Sequence, residues 1–244
     1  SSSRFILLNG DWKFKYFPSV RAVVEDYAER GCEDFDTLPV PSVWQAYGYD
    51  RHQYTNIRYP FPYDPPYLPL DNPCGIYRTE FSVSDLGSRY YLNFEGVDSC
   101  LYVWVNGSFV GYSEVSHSTS EFEITRFLAE ENNTLTVLVL KWCSGSYLED
   151  QDKLRMSGIF RDVYLLRRPQ EHLRDLTVKT FLENDYTKGV LNVAFESTGS
   201  LPVNWTLLGP EGEKLDEGKT EGETGNFSAH VDSPALWNAE HPNL

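Results

Sequence analysis

Three carboxylates crowd four positions at Glu149-Asp150-Gln151-Asp152, at the end of the segment that begins Gly145-Ser146-Tyr147-Leu148. Like charges this close repel unless water or a cation screens them. Carboxylate oxygens suit hard cations and accept hydrogen bonds from sugar hydroxyls. The residues alone leave two readings open: a solvated acidic loop, or a site for a cation or a polyhydroxyl ligand. The spacing is not that of an EF-hand loop. A second candidate is Asn56, in Tyr54-Thr55-Asn56-Ile57-Arg58-Tyr59-Pro60. Its amide both donates to and accepts from hydroxyls, and the neighbouring rings can stack on apolar sugar faces. A turn asparagine among packed aromatics is the plainer alternative. A third is Arg161-Asp162, within Arg155-Met156-Ser157-Gly158-Ile159-Phe160-Arg161-Asp162-Val163. It reads as a functional ion pair or, more simply, as the group that orders the loop entering a strand at Val163. Gly158 allows that loop a tight backbone path.

Other chemistries find no support. His52, His117, His172, His230 and His241 are scattered, and there is neither an HExxH pattern nor a glycine-rich phosphate loop. Cys32, Cys74, Cys100 and Cys143 form no CxxC pair and have no histidine at ligand spacing, which argues against zinc. They read as free, mostly buried thiols suited to a reducing cytoplasm. Glycosylation-type triplets begin at Asn106, Asn132, Asn204 and Asn226, but Asn106 is better explained by a turn.

The elements that must hold these groups are strands. The chain has 244 residues, 41% hydrophobic and 15% aromatic, long enough for a full core. Its net charge of −15 argues against nucleic acid or an anionic membrane as partner. No apolar run approaches the roughly 18 residues of a membrane-spanning helix. The opening Ser1-Ser2-Ser3-Arg4-Phe5 does not read as a signal peptide, although one could precede it. Acidic residues become denser after Arg167-Arg168-Pro169, and a proline cannot continue a central strand. This divides the chain into domains at 1–168 and 169–244. In the first, Arg89 to Gly96 and Leu135 to Leu140 read as strands, the latter buried on both faces. Asn106-Gly107 between two β-rich runs predicts a two-residue type I′ hairpin. Val20, Val23, Val24, Tyr27 and Ala28 have helical spacing closed by Gly31, and predict the one helix. Six prolines between positions 59 and 75 predict an extended loop. In the second, runs at Leu176–Leu182, Gly189–Glu196, Val203–Leu208 and Asn226–Val231 are punctuated by Gly209-Pro210-Glu211-Gly212 and Gly222 to Gly225. They predict an immunoglobulin-like sandwich with four or five of the usual seven or so strands. The chain is therefore expected to stop inside its second domain and to leave strand edges exposed.

These segments closely resemble the N-terminal part of the β-galactosidases of glycoside hydrolase family 2. The resemblance runs in order through Leu8-Asn9-Gly10-Asp11-Trp12-Lys13-Phe14, Leu38 to Gln45, Tyr54 to Pro60, Asn72 to Arg78, Phe94 to Ser99, Val105-Asn106-Gly107 and Val110-Gly111-Tyr112. It is strongest in Gly145 to Asp152 followed by Arg155 to Val163, ends at Leu236 to Leu244, and so covers essentially the whole chain. It implies an all-β fold: a jelly-roll sugar-binding domain at 1–168 and an immunoglobulin-like β-sandwich at 169–244, incomplete at its C-terminus. A catalytic (β/α)₈ barrel should follow, carrying the acid/base and nucleophile glutamates of a retaining glycosidase and the magnesium sites, so no catalytic residue is assigned here. By motif match, Asn56 contacts galactosyl hydroxyls. Asp152 reaches both a galactosyl hydroxyl and a monovalent cation, Na⁺ or K⁺. Lys153-Leu154 departs from the bulkier residues the pattern leads one to expect. The intact enzyme would be a cytoplasmic homo-oligomer hydrolysing terminal β-galactosides such as lactose. This part alone would be inactive, since neighbouring carboxylates on one loop cannot flank both faces of a sugar. The Tyr-Thr-Asn and Tyr-Leu-Glu-Asp-Gln-Asp segments favour galactosidase over the family's β-glucuronidases and β-mannosidases. Rivals of other classes are a free-standing carbohydrate-binding module and a structural scaffold for oligomer contacts.

Overall fold

The computed structural model describes residues 2–243 apart from 25, 29, 30 and 150. The chain divides into two compact units, Ser1–Arg168 and Pro169–Leu244. Among the described residues no helix is long and apolar enough to cross a membrane.

The described residues of the first unit form fourteen strands. They are β1 (Phe5–Leu7), β2 (Gly10–Phe17), β3 (Asp36–Val40), β4 (Gln53–Thr55), β5 (Cys74–Phe81), β6 (Arg89–Phe94) and β7 (Val97–Asp98), then β8 (Cys100–Val105), β9 (Ser108–Ser113), β10 (Ser120–Glu123), β11 (Asn133–Leu140), β12 (Lys153–Arg155), β13 (Gly158–Ile159) and β14 (Val163–Arg168). A six-stranded sheet runs β3-β2-β5-β11-β8-β9 and a four-stranded sheet runs β1-β14-β6-β10. Two short pairs, β12 with β4 and β13 with β7, stand apart from them. Every pairing is antiparallel.

Side-chain alternation along these strands builds the core. Trp12 and Phe14 of β2, Val103 and Val105 of β8, Val137 and Val139 of β11, Leu92 and Phe94 of β6, and Val163 and Leu165 of β14 are buried in one cluster. Alternate residues point to opposite faces of a strand, so the remaining residues of β11 face outward. There Leu138 packs with Cys74 and Ile76 under Val20, Val23, Tyr27 and Phe35. The near-continuous apolar run of β11 thus serves two faces, as its sequence predicts.

The segment that covers the outer face corrects one expectation. Val20–Ala22 is a single 3-10 turn and the predicted helix does not form. The apolar spacing at 20, 23 and 27 follows the outer face of the sheet instead. The carbonyl of Tyr27 accepts from Arg78 Nη2 of β5 at 2.7 Å. Residues 25, 29 and 30 of that stretch lie outside the described residues.

The hairpin is as predicted. Asn106 and Gly107 have φ of 52° and 76°, and Val105 pairs with Ser108. The Asn106 side chain also accepts from Thr134 N at 2.8 Å and donates to Phe127 O at 2.9 Å, tying the turn to β11 and to the loop before it.

The second unit is one three-stranded antiparallel sheet, β15 (Leu173–Glu183), β16 (Lys188–Leu208) and β17 (Lys214–Asp232). The runs at 189–196 and 203–208 are one strand, not two. The register between β16 and β17 slips between Glu196 and Leu201, opposite Gly222, whose φ is 133°. Glycine inside a strand here marks an irregularity in a continuous ladder rather than a turn. The turn at Gly209–Gly212 does occur, closed by Gly209 N on Glu213 O at 2.8 Å. Val193, Phe195 and Ala229 are buried, while Trp205 and Phe227 stack with centroids 4.4 Å apart. β15 is exposed along its whole length, and among the described residues no strand pairs with its outer edge.

Replacing Gly107 with valine forces a β-branched residue to positive φ. It should destabilise the first unit by about 1 kcal/mol or more in urea denaturation; an unchanged midpoint would contradict the turn assignment.

Candidate substrate-binding site

Asn56 follows the last residue of β4, and Asp152 precedes the first residue of β12. In the antiparallel pairing Lys153 stands opposite Thr55 and Leu154 opposite Tyr54, so the next step of the same register sets Asp152 against Asn56. The Tyr54 hydroxyl joins them. It donates to Asp152 Oδ1 at 2.5 Å across 98 residues of sequence, and the Asn56 side chain lies close enough to act on it. Donation to the carboxylate holds the Tyr54 hydroxyl above the ordinary tyrosine range, with Asn56 acting in the opposite direction. All three side chains are exposed. Residues Gln53 to Pro60 line an open groove there. Tyr54 is the member that sequence reasoning missed as a site residue; its only signal was its place two residues before Asn56.

Two neighbouring stretches hold this end in place. Tyr147, in the 3-10 turn Ser144–Tyr147, packs its ring edge-on against Phe61 and Tyr63, with centroids 5.3 and 5.5 Å away. Its hydroxyl donates to Tyr67 O at 2.5 Å, and its carbonyl accepts from Tyr59 Oη at 3.0 Å. The predicted proline-rich loop is therefore an aromatic clamp on the turn that leads into the acidic segment. Asn72 bonds both the carbonyl and the N–H of Trp142, at 2.8 and 3.0 Å, and fixes the start of the same stretch.

Arg155 closes it. The side chain is buried. Its Nε donates to Thr55 Oγ1 at 3.0 Å, Nη1 to Glu149 O at 3.1 Å and Nη2 to Gln151 O at 3.1 Å. One planar guanidinium thus fixes the backbone of the acidic segment and joins it to β4.

The acidic cluster does not act as a unit. Glu149 turns inward, accepting from Ser116 N at 3.0 Å and Ser116 Oγ at 2.6 Å. Asp152 faces outward to Tyr54. Asp150 lies outside the described residues. No cluster of three His, Cys, Asp or Glu side chains able to hold a metal occurs among the described residues. What Asp152 offers is one exposed carboxylate beside the Tyr54 hydroxyl oxygen, too few donors to hold a divalent cation without further ligands.

Arg161 and Asp162 have separate structural duties. Arg161 Nη1 donates to His117 O at 3.2 Å and its guanidinium lies over Phe160. Asp162 Oδ1 accepts from Asn9 at 2.8 Å. Gly158 has φ of 126°, and a Cβ there would stand 2.7 Å from Tyr77 Oη, so the tight path needs glycine. All four cysteines are free, and Cys74, Cys100 and Cys143 are buried.

Beneath the site, charges are buried. Lys141 pairs with Asp50, their side chains 6% and 14% exposed. Asp98, at the end of β7, lies with its Oδ2 3.9 Å from Lys153 Nζ. Burial pushes its carboxyl up to about 6; Lys153 opposes this, Glu149 adds to it, and Arg155 and Lys141 oppose it.

With this geometry in view, the chain's relatives can be placed. Residues 5–169 match the family described as glycosyl hydrolases family 2, sugar binding domain. The chain belongs to that family. It is 47% identical over 244 residues to a β-galactosidase of Actinobacillus pleuropneumoniae and 45% identical over 241 residues to one of Staphylococcus xylosus. These alignments cover 100% and 98% of this chain but 24% of each relative, so the chain spans about a quarter of their length. Among solved structures, a β-glucuronidase of an uncultured Clostridium superposes with a TM-score of 0.73 at 19% identity, covering 99% of this chain and 42% of that one. A Bifidobacterium dentium β-glucuronidase complexed with coumarin-3-O-glucuronide gives 0.74 at 15%, covering 99% and 44%. At these identities the likeness is one of fold, and it agrees with the all-β architecture.

Two outcomes test the site's architecture. Arg155→Met leaves two backbone carbonyls and Thr55 without their buried charged donor; denaturation of the first unit should show a loss of about 2–4 kcal/mol. A loss under 0.5 kcal/mol would mean the guanidinium is dispensable. For Asp98, a folded value of about 6 lies above the ordinary aspartate value of 3.8. The folded state then binds the proton more tightly, so stability is greatest below the lower value and falls as pH rises through the upper one. Asp98→Asn should therefore raise stability above pH 6, by up to about 3 kcal/mol, and change little below pH 4. Thermal unfolding at pH 4 and 7.5 checks the sign.

Proposed function

We propose that this chain is the non-catalytic N-terminal part of a β-galactosidase, and that Asn56 and Asp152 bind the galactosyl group. The observation that carries the reading is their meeting across the β4–β12 pair, bridged by Tyr54. The identities of 45–47% to β-galactosidases, against 15–20% to the structurally similar β-glucuronidases, favour galactoside over glucuronide.

In this reading the chemistry of these residues is binding and orientation. Asp152 accepts a hydrogen bond from a galactosyl hydroxyl and shares its carboxylate with a Na⁺ or K⁺ ion. Tyr54 fixes which way that carboxylate faces. Asn56 donates to one sugar hydroxyl and accepts from another. The bound cation supplies a positive charge that orients sugar oxygens and lowers the repulsion around the acidic segment. Hydrolysis with retention needs two carboxyl groups about 5–5.5 Å apart on opposite sides of the glycosidic bond. Glu149 is committed to Ser116; in this reading those groups, like the Mg²⁺ sites, are supplied by a catalytic barrel of the full-length enzyme. Ile57 and Leu148, 89% and 90% exposed, flank the two site segments and suit burial under such a domain. The first unit serves as the jelly-roll sugar-binding domain and the second as an immunoglobulin-like spacer, in a cytoplasmic homo-oligomer.

The test is kinetic. In a full-length β-galactosidase carrying this chain, Asp152→Asn should lower kcat/KM for a nitrophenyl galactoside by about 100-fold and flatten its dependence on Na⁺. The chain alone should not turn the substrate over. Unchanged kinetics across a Na⁺ titration would reject the role of Asp152. Millimolar or tighter galactose binding by the isolated chain would favour a free-standing carbohydrate-binding module.

A further inference from the structure

Lys153 stands directly beside Asp152, and its side chain reaches a buried carboxylate. Its Nζ faces Asp98 at 3.9 Å, with the two side chains 27% and 19% exposed. Asp98 closes β7 opposite Gly158 of β13 and is no part of the β4–β12 pair that displays the site. The acidic segment is already held at its start by Glu149 on Ser116 and along its backbone by Arg155. The contact with Asp98 is a third hold, one peptide from the Asp152 carboxylate. The other charges facing Asp98 are engaged elsewhere: Lys141 with Asp50, Arg155 with Thr55 and two carbonyls, Glu149 with Ser116. His117, which faces Lys153 and Glu149, is held below its usual range by burial and by Lys153, so it adds no competing charge at neutral pH.

We propose that the Asp98–Lys153 ion pair sets the position of the Asp152 carboxylate, making Asp98 a positioning residue for the sugar and cation site. The proposal rests on the binding role given to Asp152 above. Stability does not account for the pair. A buried carboxylate is costly, an asparagine would fit the same space, and a half-buried lysine can carry its ammonium to water unaided. A pair that costs stability and adjoins a binding residue is explained by the geometry it imposes.

Two readouts test it. The first uses this chain labelled with 3-fluorotyrosine, the Tyr54 resonance being assigned with Tyr54→Phe. Tyr54 reports its hydrogen bond to Asp152 through its fluorine chemical shift. In Asp98→Asn and Lys153→Met that shift should move toward the value of a tyrosine without a carboxylate partner, while Lys153→Arg should keep it. The second uses the full-length enzyme carrying this chain. Both disruptive variants should raise KM and the half-saturating Na⁺ concentration by about tenfold, the low end for partners that orient a metal ligand. Values of kcat should change less, Lys153→Arg should restore both constants, and Asp98→Asn should show no loss of Tm at pH 7.5. An unchanged Tyr54 chemical shift in both disruptive variants overturns the proposal, as does a KM rise seen only together with a fall in Tm. If Asp152→Asn itself leaves KM and Na⁺ dependence unchanged, the binding role of Asp152 fails, and the Tyr54 chemical shift still decides whether the pair positions it.

Discussion

Arg155 sits where three parts of the first unit would otherwise come apart. Its guanidinium takes a hydroxyl from β4 and two carbonyls from the acidic segment, so that a three-residue strand pair and an irregular loop behave as one piece. A pair as short as β4–β12 contributes few ladder hydrogen bonds of its own. Five N–H donors in one fixed plane supply what the ladder lacks, and a lysine with a single point of charge does not. The aromatic clamp of Tyr59, Phe61, Tyr63 and Tyr147 acts from the other side, fixing the proline-rich loop to the turn that feeds the acidic segment. Everything displayed at this end rests on a core into which the strands of two sheets send alternate side chains.

Charge is distributed unevenly around that framework. The exposed surface carries most of the net negative charge, yet Lys141, Arg155 and Lys153 gather beneath the acidic segment with Asp50, Asp98 and Glu149. Opposite charges brought inside stabilise little, because each has lost water to get there. What they fix is orientation. Glu149 and Asp152 illustrate the consequence. They are three residues apart and chemically similar, but one is spent on a serine inside the fold and the other is offered to solvent.

The second unit shows the opposite economy. Its three strands are long and bent, with a small buried set around Val193, Phe195 and Ala229, and β15 exposes Leu176, Val178 and Phe181. Such an edge is a surface on which a further strand or another domain can settle.

Local chemistry was legible from the sequence wherever few residues decide it. Asn106-Gly107 makes its turn because positive φ at two adjacent positions selects those residues. The six prolines of 59–75 prevent a ladder, and the run Leu135–Leu140 signals a strand covered on both sides. Motif resemblance singled out Asn56 and Asp152, although spacing alone left both with plain structural alternatives. The periodicity at Val20, Val23 and Tyr27 misled because apolar spacing records what must be buried, not the backbone that buries it; here an outer sheet face took those side chains without a helix. The glycines of β17 misled in the same way, since an irregularity and a turn share residue preferences. Only the tertiary structure decided that Glu149 turns inward while Asp152 turns out, that Tyr54 bridges Asp152 to Asn56, and that Lys153 answers Asp98. Those pairings join residues tens to about a hundred positions apart. They depend on which strands lie side by side, and strand order is set by the packing of the whole core rather than by any short stretch of chain.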